Sequence, residues 1–200
     1  FTAASQWRQE GAVSWADYDP AKLSAGGGVF ARNQRQVALS PQARALLGIA
    51  EERVEPAAVM RAILRAEVDL LYFGGIGTYV KASTESHAAA SDRANDAIRV
   101  DGRELRARVV GEGANLAVTQ AGRVEAAVAG VRLNTDALDN SAGVSTSDHE
   151  VNIKILLADV ERAGAITRTQ RDALLVEMTE EVAALVLRDN ALQSLAVSLE

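Results

Sequence analysis

The stretch that decides the fold is Val68-Asp-Leu-Leu-Tyr-Phe73, followed directly by Gly74-Gly-Ile-Gly77. Its apolar run is short, nearly continuous and rich in strand formers, which is typical of a strand buried in a parallel sheet. The glycines that follow are suited to a loop at the carboxyl end of that strand. The stretch therefore predicts the first strand of an open parallel sheet.

The same order of strand, loop and helix recurs downstream. An Asp101-Gly102 turn leads into Leu105 to Val110, which predicts a second buried strand entering Gly111-Glu-Gly-Ala-Asn115. Thr119 can cap a helix that extends to about Ala129, and a short extended stretch follows near residues 131–133. This alternation predicts an α/β fold, a partial Rossmann-like parallel sheet with flanking helices and a helical C-terminal part.

Local capping signals predict the remaining helices. Ser40-Pro41 introduces a short helix that ends at Gly48, and Pro56 opens another. Ser147 and Glu150 have the spacing of a capping box, which predicts that a long helix starts there. A last helix is predicted from Thr167, with an apolar stripe at Leu174, Met178, Val182 and Leu185.

Three regions follow from this pattern. Residues 1–55, including Trp7 and Trp15, are predicted to be an irregular connecting segment with a short helix. Residues 56–145 are assigned to part of the Rossmann-like domain, in which 83–97 is expected to be partly helical. Residues 146–200 are assigned to C-terminal helices.

Composition narrows the function classes. The 200 residues are 48% hydrophobic and 24% charged, as expected of a globular protein with one main core. A net charge of −6 and only 4% aromatic residues argue against a nucleic-acid partner. The absence of cysteine is compatible with a reducing cytoplasm. No signal-peptide pattern and no run of about 20 apolar residues is seen, so a soluble, cytoplasmic protein without a membrane segment is expected.

Three polar, glycine-bearing loops follow apolar segments, beginning at Gly74, Gly111 and Asn140. Ligands bind open parallel sheets at the edge formed by the carboxyl ends of the strands, so these loops predict one shared cleft. Gly74 and Gly75 would allow a nucleotide to approach the backbone closely, although the loop matches neither GxGxxG nor the phosphate loop ending in GK[ST]. A tight turn between strand and helix explains the same glycines.

Individual side chains in these loops also have two explanations. Asn115 offers a donor and an acceptor for a carboxamide, or it bonds its own backbone in the turn. Glu112 either contacts a cofactor or accepts bonds from turn amides. At a helix start, the Ser147 hydroxyl could hold a substrate carboxylate, and simple capping accounts for it as well. His87 and His149 have no partners at ligand spacing, so no metal site is predicted.

Five blocks, in order, resemble the large bacterial NAD-specific glutamate dehydrogenases: Asp69-Leu-Leu-Tyr-Phe-Gly-Gly-Ile-Gly-Thr-Tyr-Val-Lys81, Asp92-Arg-Ala-Asn-Asp96, Val109-Val-Gly-Glu-Gly-Ala-Asn115, Asp139-Asn-Ser-Ala-Gly-Val144 and Ser147-Asp-His-Glu-Val-Asn-Ile-Lys-Ile155. That family is similar to the smaller glutamate dehydrogenases. In those enzymes a Glu-Gly-Ala-Asn loop lies beside the nicotinamide, and an Asn-Ala-Gly-Gly-Val segment leads to a serine that binds a substrate carboxylate.

The resemblance implies a fragment of an enzyme that oxidises L-glutamate to 2-oxoglutarate and ammonium with NAD as cofactor. The implied cofactor-binding residues are Gly74, Gly75, Glu112, Gly113, Ala114, Asn115 and Asn140, and the implied substrate-binding residue is Ser147. No catalytic residue is assigned here, because the family's lysine, aspartate and GxGxxG loop are expected earlier in a longer chain. The remainder of that chain and further copies of it are the implied partners.

A different class remains open at this point. An α/β regulatory module that binds a nucleotide or an amino acid without catalysis would present the same glycine loops. Saturable NAD binding would favour the dehydrogenase over a scaffold whose loops are only turns.

Overall fold

The computed structural model describes residues 17–31 and 33–199. Residues 1–16, with Trp7 and Trp15, lie outside the described residues, so that part of the predicted connecting segment is not tested. After a 3-10 turn at Pro20–Lys22, strand β1 (Val37–Ala38) pairs antiparallel with β2 (Arg53–Val54). Helix α1 (Pro41–Leu47) connects the two strands. This small antiparallel pair was not predicted.

The predicted cap residues delimit α1. The Ser40 side chain accepts a hydrogen bond from the backbone N–H of Ala43, and Gly48 ends the helix with φ of 64°. Glycine adopts that left-handed conformation at little cost. Helix α2 (Pro56–Leu64) begins at Pro56 as predicted.

The rest of the described chain contains β3 (Leu70–Phe73), β4 (Val80–Lys81), β5 (Val100–Asp101), β6 (Val109–Glu112), α3 (Gln120–Val128), β7 (Arg132–Leu133), α4 (Asp136–Asp139), α5 (Ser141–Arg162), α6 (Arg168–Glu177) and α7 (Thr179–Leu199). Two further 3-10 turns lie at Arg93–Asn95 and Gly102–Glu104. The domain boundaries proposed from the sequence remain a prediction.

The main sheet has the order β3-β6-β7, and both of its strand pairs are parallel. Phe73 lies opposite Glu112, and Leu133 lies opposite Val110. The prediction of a mixed α/β fold with a parallel sheet and flanking helices is confirmed. A second parallel pair, β4 with β5, was not predicted, because each of its strands is only two residues long.

The apolar core lies on one face of the main sheet, against α3. It comprises Leu64, Phe73, Val80, Val100, Leu105, Ala107, Val110, Ala117, Val118, Ala126 and Val131. On the opposite face Leu70, Tyr72 and Val109 are 57%, 61% and 39% exposed. The prediction that the first strand is buried is therefore wrong for this face within the described residues, because helices cover only the other one.

Residues 83–97 are mostly turns rather than partly helical, with only the 3-10 turn at Arg93–Asn95. Side chains compete for the backbone in this segment. Ser86 Oγ accepts a bond from the N–H of Ala89 within the segment, and Glu125 of α3 accepts one from the N–H of Ser83. Such side-chain bonds offer the backbone an alternative to a helix, which explains the outcome.

The long helix α5 begins at Ser141, six residues earlier than the predicted start at Ser147. The carbonyl of Asn140 accepts the first helical bonds, from the N–H groups of Gly143 and Val144. Asn190 of α7 fixes this corner, because its Nδ2 donates to the Leu138 carbonyl and to Ser141 Oγ. The prediction that Ser147 caps the helix is wrong, since Ser147 lies inside it.

The C-terminal helices form a hairpin-like packing. Thr167 and Gln170 form the predicted capping box of α6. The predicted continuous helix is interrupted at Met178, after which α7 packs against α5. Asn190 of α7 bonds to Ser141 at the start of α5, whereas the earlier residue Ala183 of α7 lines a pocket with Lys154 farther along α5. The two helices therefore run antiparallel.

Helix α7 bears on the expectation that the chain has no membrane segment. Among the described residues it is the one helix long and apolar enough to cross a bilayer, by length and composition alone. The sequence reading missed it because Arg188 and Asp189 interrupt its apolar run. Two polar residues of this helix contact the α4–α5 region: Asp189 contacts His149, and Asn190 donates to the Leu138 carbonyl.

Candidate functional site

The carboxyl ends of the three main strands bring the predicted loops to one edge of the sheet. Since Phe73 and Glu112 are the last paired residues, Gly74 and Gly113 leave the sheet side by side. Neighbouring strands lie about 5 Å apart, so the two glycine loops begin at that spacing. The chain after β7 then turns back over the same edge as α4.

The first loop presents open backbone at this edge. Gly74 and Gly75 are exposed, and a Cβ added at Gly75 would meet nothing within 4 Å. Gly77 differs, because its φ of 146° suits glycine and a Cβ there would lie 2.7 Å from Asn95 Nδ2. The first two glycines therefore leave room for a ligand, whereas Gly77 is required by the turn itself.

Tyr72 is a residue at this edge that the sequence reading did not assign. Its ring lies across β6, so that a Cβ at Gly113 would be 1.8 Å from the phenol oxygen and a Cβ at Gly111 would be 3.0 Å from Tyr72 Cδ2. Tyr72 as a whole residue is 61% exposed. An aromatic residue opposite a Gly-x-Gly pair on the next strand is the signal that would have found it.

Asn115 and Asn140, from two different loops, are in direct contact. The Asn140 Nδ2 group donates a hydrogen bond of 2.7 Å to Asn115 Oδ1. The other atoms of the two amides, Asn115 Nδ2 and Asn140 Oδ1, have no protein partner among the described residues. The pair thus presents one donor and one acceptor, the combination that a planar carboxamide requires. Asn115 bonds to this neighbour rather than to its own backbone.

Two aspartates of α4 hold the second loop from outside. Asp139 Oδ2 accepts from the N–H of Glu112, and Asp136 Oδ2 accepts from the N–H of Leu116, each at 3.0 Å. Leu116 has φ of 56°, a conformation that costs a residue with a Cβ about 1–2 kcal/mol. The sequence reading missed both aspartates because their partners are 20 and 27 residues away.

Glu112 lies inside the protein rather than at the edge. Its side chain is fully buried, and Arg123 of α3 donates to Glu112 Oε1 through Nη2 at 2.6 Å and through Nε at 3.1 Å. Burial raises the pKa of this carboxyl, while the bonds from Arg123 and from the N–H of Val118 oppose that rise. The whole residue is 0% exposed and its N–H is bonded to Asp139, so neither its carboxylate nor its backbone is open to a ligand at the edge. The cofactor contact of Glu112 stays a prediction.

The other predicted site residues also differ in how exposed they are. Ala114 is 7% exposed, so little of its surface is open to a cofactor. Ser147 is exposed and lies seven residues after Asn140. That spacing is about two helical turns, which places both residues on one face of α5 about 10 Å apart along its axis. Because α5 starts at Ser141, Ser147 is not at a helix start, and no free N–H groups of a first helical turn lie beside it.

Charged and metal-binding candidates elsewhere have local partners. Lys81 is buried, and its Nζ lies 2.5 Å from Asp101 Oδ1, so it is not a free cation beside the first loop. His87 contacts Arg99, and His149 Nε2 lies 2.7 Å from Asp189 Oδ2. Across residues 17–31 and 33–199, no cluster of three or more His, Cys, Asp or Glu side chains could hold a metal ion.

Residues 5–200 match the family model described as bacterial NAD-glutamate dehydrogenase, catalytic domain. The chain belongs to this family. The resemblance carried by the five sequence blocks is thereby confirmed, and the match covers nearly the whole chain, whereas each glycine loop alone is a weak signal.

Relatives in three bacteria extend this result to the family's full-length proteins. The chain is 56% identical over 186 residues to the NAD-specific glutamate dehydrogenase of Pseudomonas aeruginosa, and 53% identical over 186 residues to that of Halomonas elongata, covering 93% of this chain in each case. It is 55% identical over 183 residues to that of Mycobacterium tuberculosis, covering 88% of this chain. The chain spans only 12%, 12% and 11% of these relatives' own lengths.

Proposed function

We propose that the longer protein containing this chain oxidises L-glutamate to 2-oxoglutarate and ammonium and passes a hydride to NAD. In that enzyme this chain forms the wall of the cleft on the nicotinamide side. Family membership and three relatives named NAD-specific glutamate dehydrogenase support the reaction. They favour it over a non-catalytic regulatory module. The observation that carries the role of this chain is the contact between Asn115 and Asn140 at the carboxyl edge of the sheet.

The residues at this edge suit a nicotinamide cofactor. A carboxamide has one carbonyl acceptor and one amide donor, which match the donor of Asn115 and the acceptor of Asn140. The exposed backbone at Gly74 and Gly75 lets a planar ring approach without a steric clash. When bound, NAD supplies the hydride acceptor, and the side chains here orient its ring against the substrate α-carbon.

Ser147 is the proposed contact for a glutamate carboxylate. It is exposed on the face of α5 that also carries Asn140, so both can face one cleft. Its hydroxyl acts as a single donor, without help from free helix N–H groups. Hydrogen bonds to charged groups contribute about 1.5–3 kcal/mol, which is the magnitude assigned to this contact.

The reaction requires residues from elsewhere in the longer chain. The sequence contains no GxGxxG loop, and no lysine or aspartate here is placed in a catalytic role. We propose that the remainder of the longer protein supplies the phosphate loop and the catalytic lysine and aspartate. Homo-oligomeric assembly and a cytoplasmic location remain predictions for that protein.

The test compares turnover of the longer protein with that of Ser147→Ala. The parent protein should form NADH in a glutamate-dependent assay, and this chain alone should form none. In the longer protein Ser147→Ala should raise the KM for glutamate by about 10- to 150-fold, which corresponds to the lost charged hydrogen bond.

Ser145→Ala is the matched control, because two residues along a helix is about 200° around its axis and places Ser145 on the opposite face. It should leave the KM for glutamate near the parental value. Equal KM values in Ser147→Ala and the parent would contradict the substrate role of Ser147. Absence of turnover in the longer protein would contradict the function itself.

A further inference from the structure

The buried pair of Glu112 and Arg123 joins the two ends of the loop that carries Asn115. Glu112 is the last residue of β6, and its Oε2 accepts a hydrogen bond of 3.1 Å from the N–H of Val118, just past the loop. Its Oε1 accepts two bonds from Arg123 of α3. One carboxylate therefore closes the Gly113–Ala117 loop and ties it to a helix.

The same arginine also lies close to Asp136 of α4, one of the two aspartates that hold the loop from outside. Arg123 Nη2 lies 3.6 Å from Asp136 Oδ1, while Asp136 Oδ2 accepts from the N–H of Leu116. Leu116 is the residue directly after Asn115 and has the left-handed φ of 56°. The inner and outer contacts thus meet at Arg123, and together they hold the backbone on both sides of Asn115.

Stability alone is a poor explanation for this pair. The Glu112 side chain is 0% exposed and that of Arg123 is 10% exposed, so both charges have lost most of their hydration. A buried ion pair often contributes no more than apolar residues of the same volume would, because desolvation offsets the attraction. What apolar residues could not provide is the directional bond to the N–H of Val118 and the contact with Asp136.

Resting on the proposed function, we propose that Glu112 and Arg123 are positioning residues that orient Asn115 for the nicotinamide carboxamide. Neither side chain reaches the edge, so both act through the loop. The pair sets the geometry that the cofactor meets, and its loss should weaken cofactor binding before it affects the chemical step.

The test uses the longer protein with Glu112→Gln and Arg123→Lys. Glutamine keeps the volume and the acceptor for Val118 but places an amide against Arg123, and lysine keeps the charge but loses the two-nitrogen geometry. Each variant should raise the KM for NAD by about tenfold and weaken NADH binding in a fluorescence titration by a similar factor, with a smaller change in kcat.

Asp101→Asn is the matched control, since it removes one charge from the buried Lys81–Asp101 pair. That pair joins β4 to β5 and, among the described residues, shares no hydrogen bond with Glu112 or Arg123. It should leave the KM for NAD near the parental value even where it lowers the melting temperature. If Glu112→Gln and Arg123→Lys have the same KM for NAD as Asp101→Asn, the inference is overturned. If Glu112→Gln fails to fold, an unchanged KM for NAD in Arg123→Lys overturns it alone.

Turnover by the parent protein distinguishes a failure of the proposed function from a failure of the positioning role. Absent glutamate-dependent NADH formation by the parent would overturn the proposed function and this inference with it. Parental turnover with an unchanged KM for NAD in the variants would overturn only the positioning role of the pair.

Discussion

Replacing Gly102 with alanine should loosen the contact between the Gly102–Glu104 turn and α3. A Cβ at Gly102 would lie 2.4 Å from the carbonyl oxygen of Gly122 and 3.1 Å from the N–H nitrogen of Ala126. The first contact is about 1 Å shorter than the 3.4 Å at which ordinary van der Waals contact begins. Both neighbours are backbone atoms of a helix, so the turn must move as a whole.

The magnitude follows from two opposing effects. Forcing extra volume into a packed site typically costs about 1–3 kcal/mol. Gly→Ala at an unstrained position stabilises by about 0.4–1 kcal/mol, because the unfolded chain loses freedom. The net destabilisation for Gly102→Ala should therefore be about 1–2 kcal/mol, equivalent to roughly a 5- to 30-fold change in a local opening equilibrium.

Hydrogen exchange measured by mass spectrometry in the longer protein provides the assay. Peptides covering Val100–Asp101 and Gln120–Val128 should exchange faster by that factor, because exchange of their amides reports local opening. Gly75→Ala is the control, since a Cβ there meets nothing within 4 Å and should leave these peptides unchanged. Identical exchange in Gly102→Ala and Gly75→Ala would refute the close contact.

Two other predictions concern the loop contacts. A Cβ at Gly143 would lie 2.8 Å from both amide atoms of Asn140, so Gly143→Ala should raise the KM for NAD about fivefold while slowing exchange at the start of α5; an unchanged KM would contradict it. The amide of Asn95 and the N–H of Thr78 hold the pKa of Asp92 below its usual value. This carboxylate therefore stabilises the fold at pH values above the ordinary carboxyl pKa, and the stabilisation is lost as the pH falls through the lowered pKa of Asp92. At neutral pH, amide hydrogens near residue 78 should therefore exchange faster in Asp92→Asn than in the parent. After correction for intrinsic rates, the difference in exchange rate between the two proteins should become smaller in acid; a constant difference would contradict the prediction.

The elements predicted correctly are those whose signals are local. Ser40 with Gly48, Thr119, and Thr167 with Gln170 act within one helical turn, and each delimits a helix as expected. The start of α5 could not be predicted in this way. It depends on Asn190, whose partners Leu138 and Ser141 are 52 and 49 residues away. Long-range bonds of this kind leave no periodic pattern in the sequence.

The candidate site shows the same division. Its placement at one sheet edge followed from the strand and loop pattern, and Asn115 and Asn140 lie there together. The inward direction of Glu112 was missed because the strand was ended at Val110. Extending that strand by two residues places Glu112 on the same face as Val110, since side chains alternate along a strand. Its partner Arg123 belongs to another element and gave no signal.

The loop that carries Asn115 is held by carboxylates at three backbone N–H groups. Asp139 binds that of Glu112, Asp136 binds that of Leu116, and Glu112 binds that of Val118. Bonds to charged acceptors contribute about 1.5–3 kcal/mol each, more than the 1–2 kcal/mol that the left-handed Leu116 costs. The loop is therefore ordered before a cofactor arrives, and a ligand that binds a preorganised loop avoids that ordering cost. Removing the carboxylate of Asp139, Asp136 or Glu112 should then raise the KM for NAD by a larger factor than it lowers kcat.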